Sequence, residues 1–219
     1  MSMLLQPIKA DILAVQFVPN VSPDLAEKLN LSPEQRSIAM LTTTIDDASY
    51  TSLDEATKKA DVQVVYARSF YGGAVNANSP LAGEFIGILA GPNPAEVKSG
   101  MDAAITYLEN EALFYFADEA GKTAFYAHVI SRTGSYLSKV AGVPEGAPLA
   151  YLIAPPIEAV YGVDAALKAA DVKMAQFYGP PSETNFGGAL LTGSQSACKA
   201  AADAFRDAVI KVNRTPRAR

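Results

Sequence analysis

One histidine and one cysteine are all that this chain of 219 residues offers from the side chains that most often serve as bases, thiol nucleophiles and zinc ligands. His128 sits inside an apolar strand pattern, AFYAHVI, where a structural imidazole is expected rather than a catalytic one. Cys198 falls on the apolar stripe of a helix, which predicts an inert, packed thiol. Together they cannot supply four zinc ligands. No G-x-G-x-x-G and no Walker glycine-lysine loop is present. GPNPAEV (91–97) and GSQSACK (193–199) read as helix N-termini that could hold an anion, and ordinary caps are the expectation. SRTGS (131–135) reads as a turn.

What remains is acidic. Asp46 and Asp47 follow a strand, and Glu84 opens another. Taken by themselves, such carboxylates are expected to be exposed, solvated charge. Two loops stand out beside them, YGGAVNANSPLAG (71–83) and YGPPSETNFGG (178–188). Both are rich in Gly, Pro and Asn or Ser, and both connect corresponding strands, so they are either mobile linkers or functional lips.

Composition narrows the classes further. Apolar residues make up 49% and charged residues 19%, a globular balance. The net charge is −5, and the only basic cluster is the terminal NRTPRAR, which argues against nucleic acid. No apolar run reaches the ~18 residues of a membrane span. The opening MSMLLQPIKADIL lacks the basic start and long apolar centre of a signal peptide and is expected to be mature sequence. A single cysteine excludes an internal disulfide and suits a reducing cytoplasm.

The elements that must position these residues are spelled twice. Asp54, Lys58, Ala60, Asp61 and Val62 recur as Asp164, Lys168, Ala170, Asp171 and Val172; Phe70-Tyr71-Gly72 recurs as Phe177-Tyr178-Gly179; Lys98, Asp102 and Ala103 recur as Lys199, Asp203 and Ala204. Three collinear blocks indicate two diverged copies, 1–112 and 113–219. Each copy reads β-α-β-α-β-β-α, with a helix start assigned at Ser52 and Glu55 as a capping box. Each closes on a long helix with an apolar face: Val97, Met101, Ala104 and Leu108, then Cys198, Ala202, Phe205 and Val209. The expected class is α+β, with small antiparallel sheets whose helices cover one face.

DEATKKADVQVVYARSFYGGA, AGPNPAEVKSG, SRTGSYLSKVAG, YLIAPPIEA and TGSQSACKAA resemble the L-type ethanolamine-utilisation shell proteins of bacterial microcompartments, over nearly the whole chain. The resemblance implies two circularly permuted, ferredoxin-like shell domains in one chain. It implies a homotrimer with pseudo-sixfold symmetry that packs with other shell proteins in a cytoplasmic microcompartment. It also implies a small pore in each subunit, with ethanolamine held at the seam between the domains by Asp46, Glu84 and the carbonyl of Phe114. A larger central pore would be gated by the two loops, through Tyr71, Gly72, Gly73, Asn76, Asn78, Gly179, Pro180, Pro181, Glu183 and Asn185. Near the small pore, TTTIDDASY departs from the family's more acidic stretch. No cofactor or metal is expected. The competing reading is a regulatory sensor for a small amine or a corrinoid; an enzyme ranks below both, because no acid-base pair built on histidine is available.

Overall fold

A computed structural model describes residues 2–70 and 83–217. The first stretch of elements is β1 (Pro7–Ile8), β2 (Ile12–Val18), α1 (Pro23–Lys28), β3 (Ser37–Thr43), α2 (Asp46–Lys59), β4 (Gln63–Ser69), β5 (Phe85–Gly91) and α3 (Pro94–Asn110). The second is β6 (Phe114–Phe116), β7 (Ala124–Ile130), α4 (Ser135–Ala141), β8 (Leu149–Ala154), α5 (Pro156–Ala169), β9 (Val172–Tyr178), β10 (Gly187–Gly193) and α6 (Gln195–Arg214). Each stretch therefore reads β-β-α-β-α-β-β-α: the expected β-α-β-α-β-β-α occurs twice, each time preceded by one short strand, β1 or β6, that the sequence reading does not include.

The chain divides into two compact units that exchange short segments. The first comprises residues 9–112 and 134–137; the second comprises 1–8, 113–133 and 138–219. The main segment of the first unit ends at residue 112, while residues 1–8 and 134–137 are each grouped with the other half of the chain. Residues 1–8 join the second unit because β1 pairs antiparallel with β6, Pro7 opposite Tyr115 and Ile8 opposite Phe114. Residues 134–137 join the first because their backbone is held by α2.

In the first unit a sheet of order β2-β3-β5-β4 has apolar side chains on both faces. Alternation along β3 sends Ala39 and Leu41 to one cluster with Leu53, Ala56, Val97, Met101 and Ala104 of α2 and α3. Ile38 goes to the other, with Val21, Ile88 and Ala90, against which Ala26 and Leu29 pack. The expectation of helices on one face only is corrected here: α1, too short to show a 3.6-residue period, covers the opposite side. Each fully buried Leu, Val or Met in these clusters contributes ~1.5–3 kcal/mol. The second unit has a sheet of order β1-β6-β7-β8-β10-β9. Its core joins Phe125, Leu152 and Leu191 to Cys198, Ala202, Phe205 and Val209 of α6. Cys198 is a packed core residue, its thiol pushed up by burial.

The recurring Ala-Asp-Val has a physical reason. In both units the chain leaves the second helix with Val62 and Val172 N–H groups donating to Ala60 and Ala170 carbonyls, each at 2.9 Å. The glycine that ends the neighbouring strand packs directly on that turn. A Cβ on Gly91 would lie 2.9 Å from the Asp61 carbonyl oxygen, and one on Gly193 would lie 2.8 Å from that of Asp171.

Helix α2 begins at Asp46, not at Ser52. Ser52 lies mid-helix and donates to the Ser49 carbonyl at 2.8 Å. Ser49 and Thr51 do likewise, to Ile45 at 2.7 Å and Asp47 at 3.0 Å. These hydroxyls satisfy themselves on the preceding turn, so a polar run can lie buried as helix. Asp54 is fully buried on the same helix. Its carboxylate accepts from the Gly134 N–H at 2.7 Å and the Leu137 N–H at 2.8 Å. Ser135 N–H donates to Thr57 Oγ1 at 3.1 Å, and Tyr136 stacks on Tyr50 with ring centroids 6.2 Å apart. The SRTGS turn is thus the lead-in to α4, seated on α2.

Candidate functional site

The acidic candidates lie at one end of the first unit's sheet. Asp46 and Asp47 form the first turn of α2, where the helix dipole favours negative charge. Both are buried, Asp46 only 7% exposed, so the expectation of solvated surface charge is corrected. An Asp46 carboxylate oxygen accepts from the Asp47 N–H at 2.9 Å. Glu84 is brought in by its backbone: its N–H donates to the Thr43 carbonyl at 2.8 Å, and its carbonyl accepts from Phe70 N–H at 3.0 Å. Gly83 makes that approach possible. It holds φ +63°, and a Cβ there would fall 2.0 Å from the Thr43 oxygen.

Both carboxylates thus lie at the Thr43 end of β3, close enough for the Asp46 charge to act on Glu84. Burial raises the Asp46 carboxyl above its ordinary value, against hydrogen bonds to Ser69 and to Asp47 that favour the charged form. Burial also raises Glu84, and the Asp46 charge pushes it further the same way. Two members of the site went unnoticed in the sequence. Tyr50 lies one helical turn beyond Asp46, and its hydroxyl meets Ser69 Oγ at 2.8 Å. Burial and the charges of Asp46 and Asp47 keep that phenol protonated. The i, i+4 spacing from Asp46 to Tyr50 was the available signal. Ser69, at the end of β4, gave none. The result is a partly desolvated cluster of acceptors with an excess of negative charge, a chemistry that favours a small cation with N–H donors.

Phe114 belongs to the second unit. It is buried in β6, stacked on Tyr126 at 4.8 Å and near Phe186 at 6.5 Å. His128 also stacks on Tyr126, with ring centroids 5.2 Å apart. Of the gate residues, Tyr71, Gly72, Gly73, Asn76 and Asn78 lie outside the described residues. Gly179, Pro181, Glu183 and Asn185 are exposed on the second loop, and Pro180 is half-buried. That loop closes on itself: Ser182 N–H donates to the Phe186 carbonyl at 2.8 Å, and Asn185 holds φ +69°. The two helix N-termini carry ordinary caps, Asn93 on Glu96 N–H at 3.0 Å and Ser194 on Ala197 N–H at 3.1 Å. Among the described residues no cluster of His, Cys, Asp and Glu could hold a metal ion, and no helix is long and apolar enough to cross a membrane.

Residues 37–132 match the model of the BMC domain family. The crystal structure of ethanolamine utilization protein EutL from Leptotrichia buccalis superimposes with a TM-score of 0.96 at 62% identity, covering 99% of this chain and 100% of that one. The bacterial microcompartment shell protein EutL of Clostridium perfringens is 58% identical over 209 residues, 95% of this chain and 96% of that protein. This chain belongs to the EutL family of bacterial microcompartment shell proteins. A trimeric bacterial microcompartment shell protein, PduB, shares the fold with a TM-score of 0.74 at 17% identity, over 100% of this chain and 96% of that one. The BMC match starts at β3 and ends just past β7, so it takes its last strands from residues that here open the second copy. That is how a circularly permuted domain reads, and it accounts for the tandem α+β architecture of this EutL-family chain.

Proposed function

We propose that this shell protein assembles as a trimeric tile whose pores pass small metabolites, and that Asp46 and Glu84 hold an ammonium compound, ethanolamine, at one such pore. The observation that carries the reading is geometric: Asp46, buried in the first turn of α2, and Glu84, held by its backbone to Thr43 and Phe70, both sit at the Thr43 end of β3, where the Asp46 charge acts on Glu84. A cation relieves their mutual repulsion. An ammonium group brings three donors; two carboxylates and one carbonyl would satisfy all three, with the Phe114 carbonyl entering on the family resemblance alone. Ethanolamine has few heavy atoms, and at ~1.5 kcal/mol each its binding is limited to ~6 kcal/mol, tens of micromolar at best. Weak binding suits a pore, which must release what it admits.

Titration calorimetry with ethanolamine tests the site. Asp46→Asn and Glu84→Gln each weaken binding ~10-fold or more, while the oligomer persists. Equal heats from wild type and both variants, or a soaked crystal with the amine away from both carboxylates, would remove the site and leave the shell reading standing. The tile reading also makes the protein non-catalytic. Prolonged incubation with ethanolamine is expected to leave it chemically unchanged by mass spectrometry.

A further inference from the structure

Asp46 is the member of the proposed amine site with most reason to lose its charge. It is buried, and burial favours its protonated form. The groups around it add negative charge: Asp47 beside it in the first turn of α2, and Glu84 ahead of β5, on which its own charge acts. A cation site needs Asp46 ionised, so hydrogen-bond donors must hold it that way.

Two donors are in place. The Asp47 N–H donates to Asp46 Oδ1 at 2.9 Å, at the positive end of the helix dipole. The second is the Ser69 hydroxyl, at the end of β4. A serine hydroxyl has one proton. With that proton on Asp46, the 2.8 Å contact between Ser69 Oγ and the Tyr50 hydroxyl has a single sense: the phenol donates. The chain of donors therefore runs from Tyr50 to Ser69 to Asp46, and each donation strengthens the next. Its far end is fixed by packing. The Tyr50 ring lies edge-on to Phe85, centroids 4.8 Å apart, and stacks on Tyr136 at 6.2 Å. Tyr136 belongs to the segment 134–137, whose Gly134 and Leu137 N–H groups donate to Asp54.

The second copy shows the same fold without this device. The pairings of the repeat put Pro156 at the place of Asp46, Val160 at that of Tyr50, Gln176 at that of Ser69 and Phe186 at that of Glu84. Both carboxylates and both hydroxyls are absent there together. Tyr50 and Ser69 thus go with the carboxylates, not with the fold that the two copies share.

We propose that Tyr50 and Ser69 are positioning residues for the amine: Tyr50 donates to Ser69, Ser69 donates to Asp46, and this pair of hydroxyls holds the Asp46 carboxylate in the orientation and charged form that an ammonium compound binds. The proposal rests on Asp46 and Glu84 being the amine site. It requires neither hydroxyl to touch the amine.

Titration calorimetry with ethanolamine on wild type, Ser69→Ala, Ser69→Thr and Tyr50→Phe, from neutral pH down through the acid range, tests this. Phenylalanine keeps the ring against Phe85 and Tyr136, so Tyr50→Phe is expected to keep the wild-type circular dichroism and to lose only the hydroxyl. At neutral pH Ser69→Ala is expected to weaken binding ~10-fold, the loss of one hydrogen bond to a charged group. Tyr50→Phe is expected to weaken it ~3-fold, because Ser69 remains but donates less strongly. Both variants are expected to lose the amine at a higher pH than wild type, since Asp46 without its full donor takes up a proton more readily. Asp47, Glu84 and the Tyr50 phenol, the other titratable groups of the site, keep their places in Ser69→Ala. Ser69→Thr restores the donor and is expected to bind and titrate as wild type does. Variants that bind as wild type, or that lose affinity with no shift in the pH at which the amine is released, overturn the positioning role alone. A wild type that binds no ethanolamine, or an Asp46→Asn that binds it as tightly as wild type, overturns the amine site and this role with it.

Discussion

At the scale of single residues, the carboxylates set opposite pH trends for ligand and fold. Asp46 and Glu84 bind their protons more tightly folded than unfolded, because burial, and for Glu84 the Asp46 charge, raise them. Stability therefore rises as pH falls from the raised values toward the ordinary 3.8 and 4.5, and is diminished above that window. Amine affinity runs the other way, since protonation removes the charge that holds the cation. Calorimetry and thermal melts across the same acid range are expected to show binding lost while the melting temperature is held or raised. For the same reason Asp46→Asn is expected to weaken ethanolamine without lowering stability. Asp54 behaves differently: Asp54→Ala leaves two buried N–H groups without their acceptor, at ~1–3 kcal/mol each. Gly134→Ala forces a Cβ against the Asp54 carbonyl oxygen at 2.6 Å as well as Thr57, and is expected to cost ~1–3 kcal/mol in urea melts. Neither residue looked special in the sequence. Asp54 registered only as a mark of the repeat, and Gly134 only as part of a turn, because their worth lies in a contact some 80 residues apart along the chain.

At the scale of elements, strands and long helices were legible because their apolar periods are strong. β7 falls on the AFYAHVI pattern, and α3 and α6 bury the apolar faces expected of the two closing helices. The start of α2 was not legible, since Asp46 to Ser52 contains mostly small polar residues whose hydrogen bonds are invisible in a hydropathy pattern. The same blindness made Asp46 and Asp47 look like surface charge. Periodicity also missed that the two copies diverge in what they bury: Tyr50 and Thr51 are covered, while Val160 and Tyr161 are not, although hydrophobicity alone would order them the other way. The paired glycines that open β10 have a contact reason of their own. A Cβ on Gly188 would sit 1.8 Å from the Leu152 carbonyl oxygen on β8, so Gly188→Ala must separate the two strands. A loss of several kcal/mol, or failure to fold, is expected in denaturant titration. The adjoining loop 178–188 is proposed as a gate lip, and independent crystal forms are expected to show it in more than one conformation. One unchanging conformation across forms and ligand soaks would remove that role.

At the scale of the molecule, the exchange of segments decides what can be separated. A chain cut between residues 112 and 113 gives two pieces of nearly equal length and complete repeat spelling. Neither piece is a complete unit: the first lacks 134–137 over α2, and the second lacks β1 beside β6. Expressed apart, the halves are expected to be poorly soluble. Co-expressed, they are expected to co-purify and to recover the circular dichroism of the intact chain. Soluble, well-folded separate halves would show the exchange to be dispensable. The pairing of β1 with β6 also bears on how the protein is made. Pro7 and Ile8 leave the ribosome more than a hundred residues before Phe114 does, yet their backbone donors and acceptors are completed only by that later strand. Through most of translation the earliest segment must wait unpaired while the first unit gathers behind it. A ribosome stalled after residue 112 would therefore hold a nascent chain whose front end is still open to proteolysis, and that protection is expected to appear only once β6 has cleared the exit tunnel.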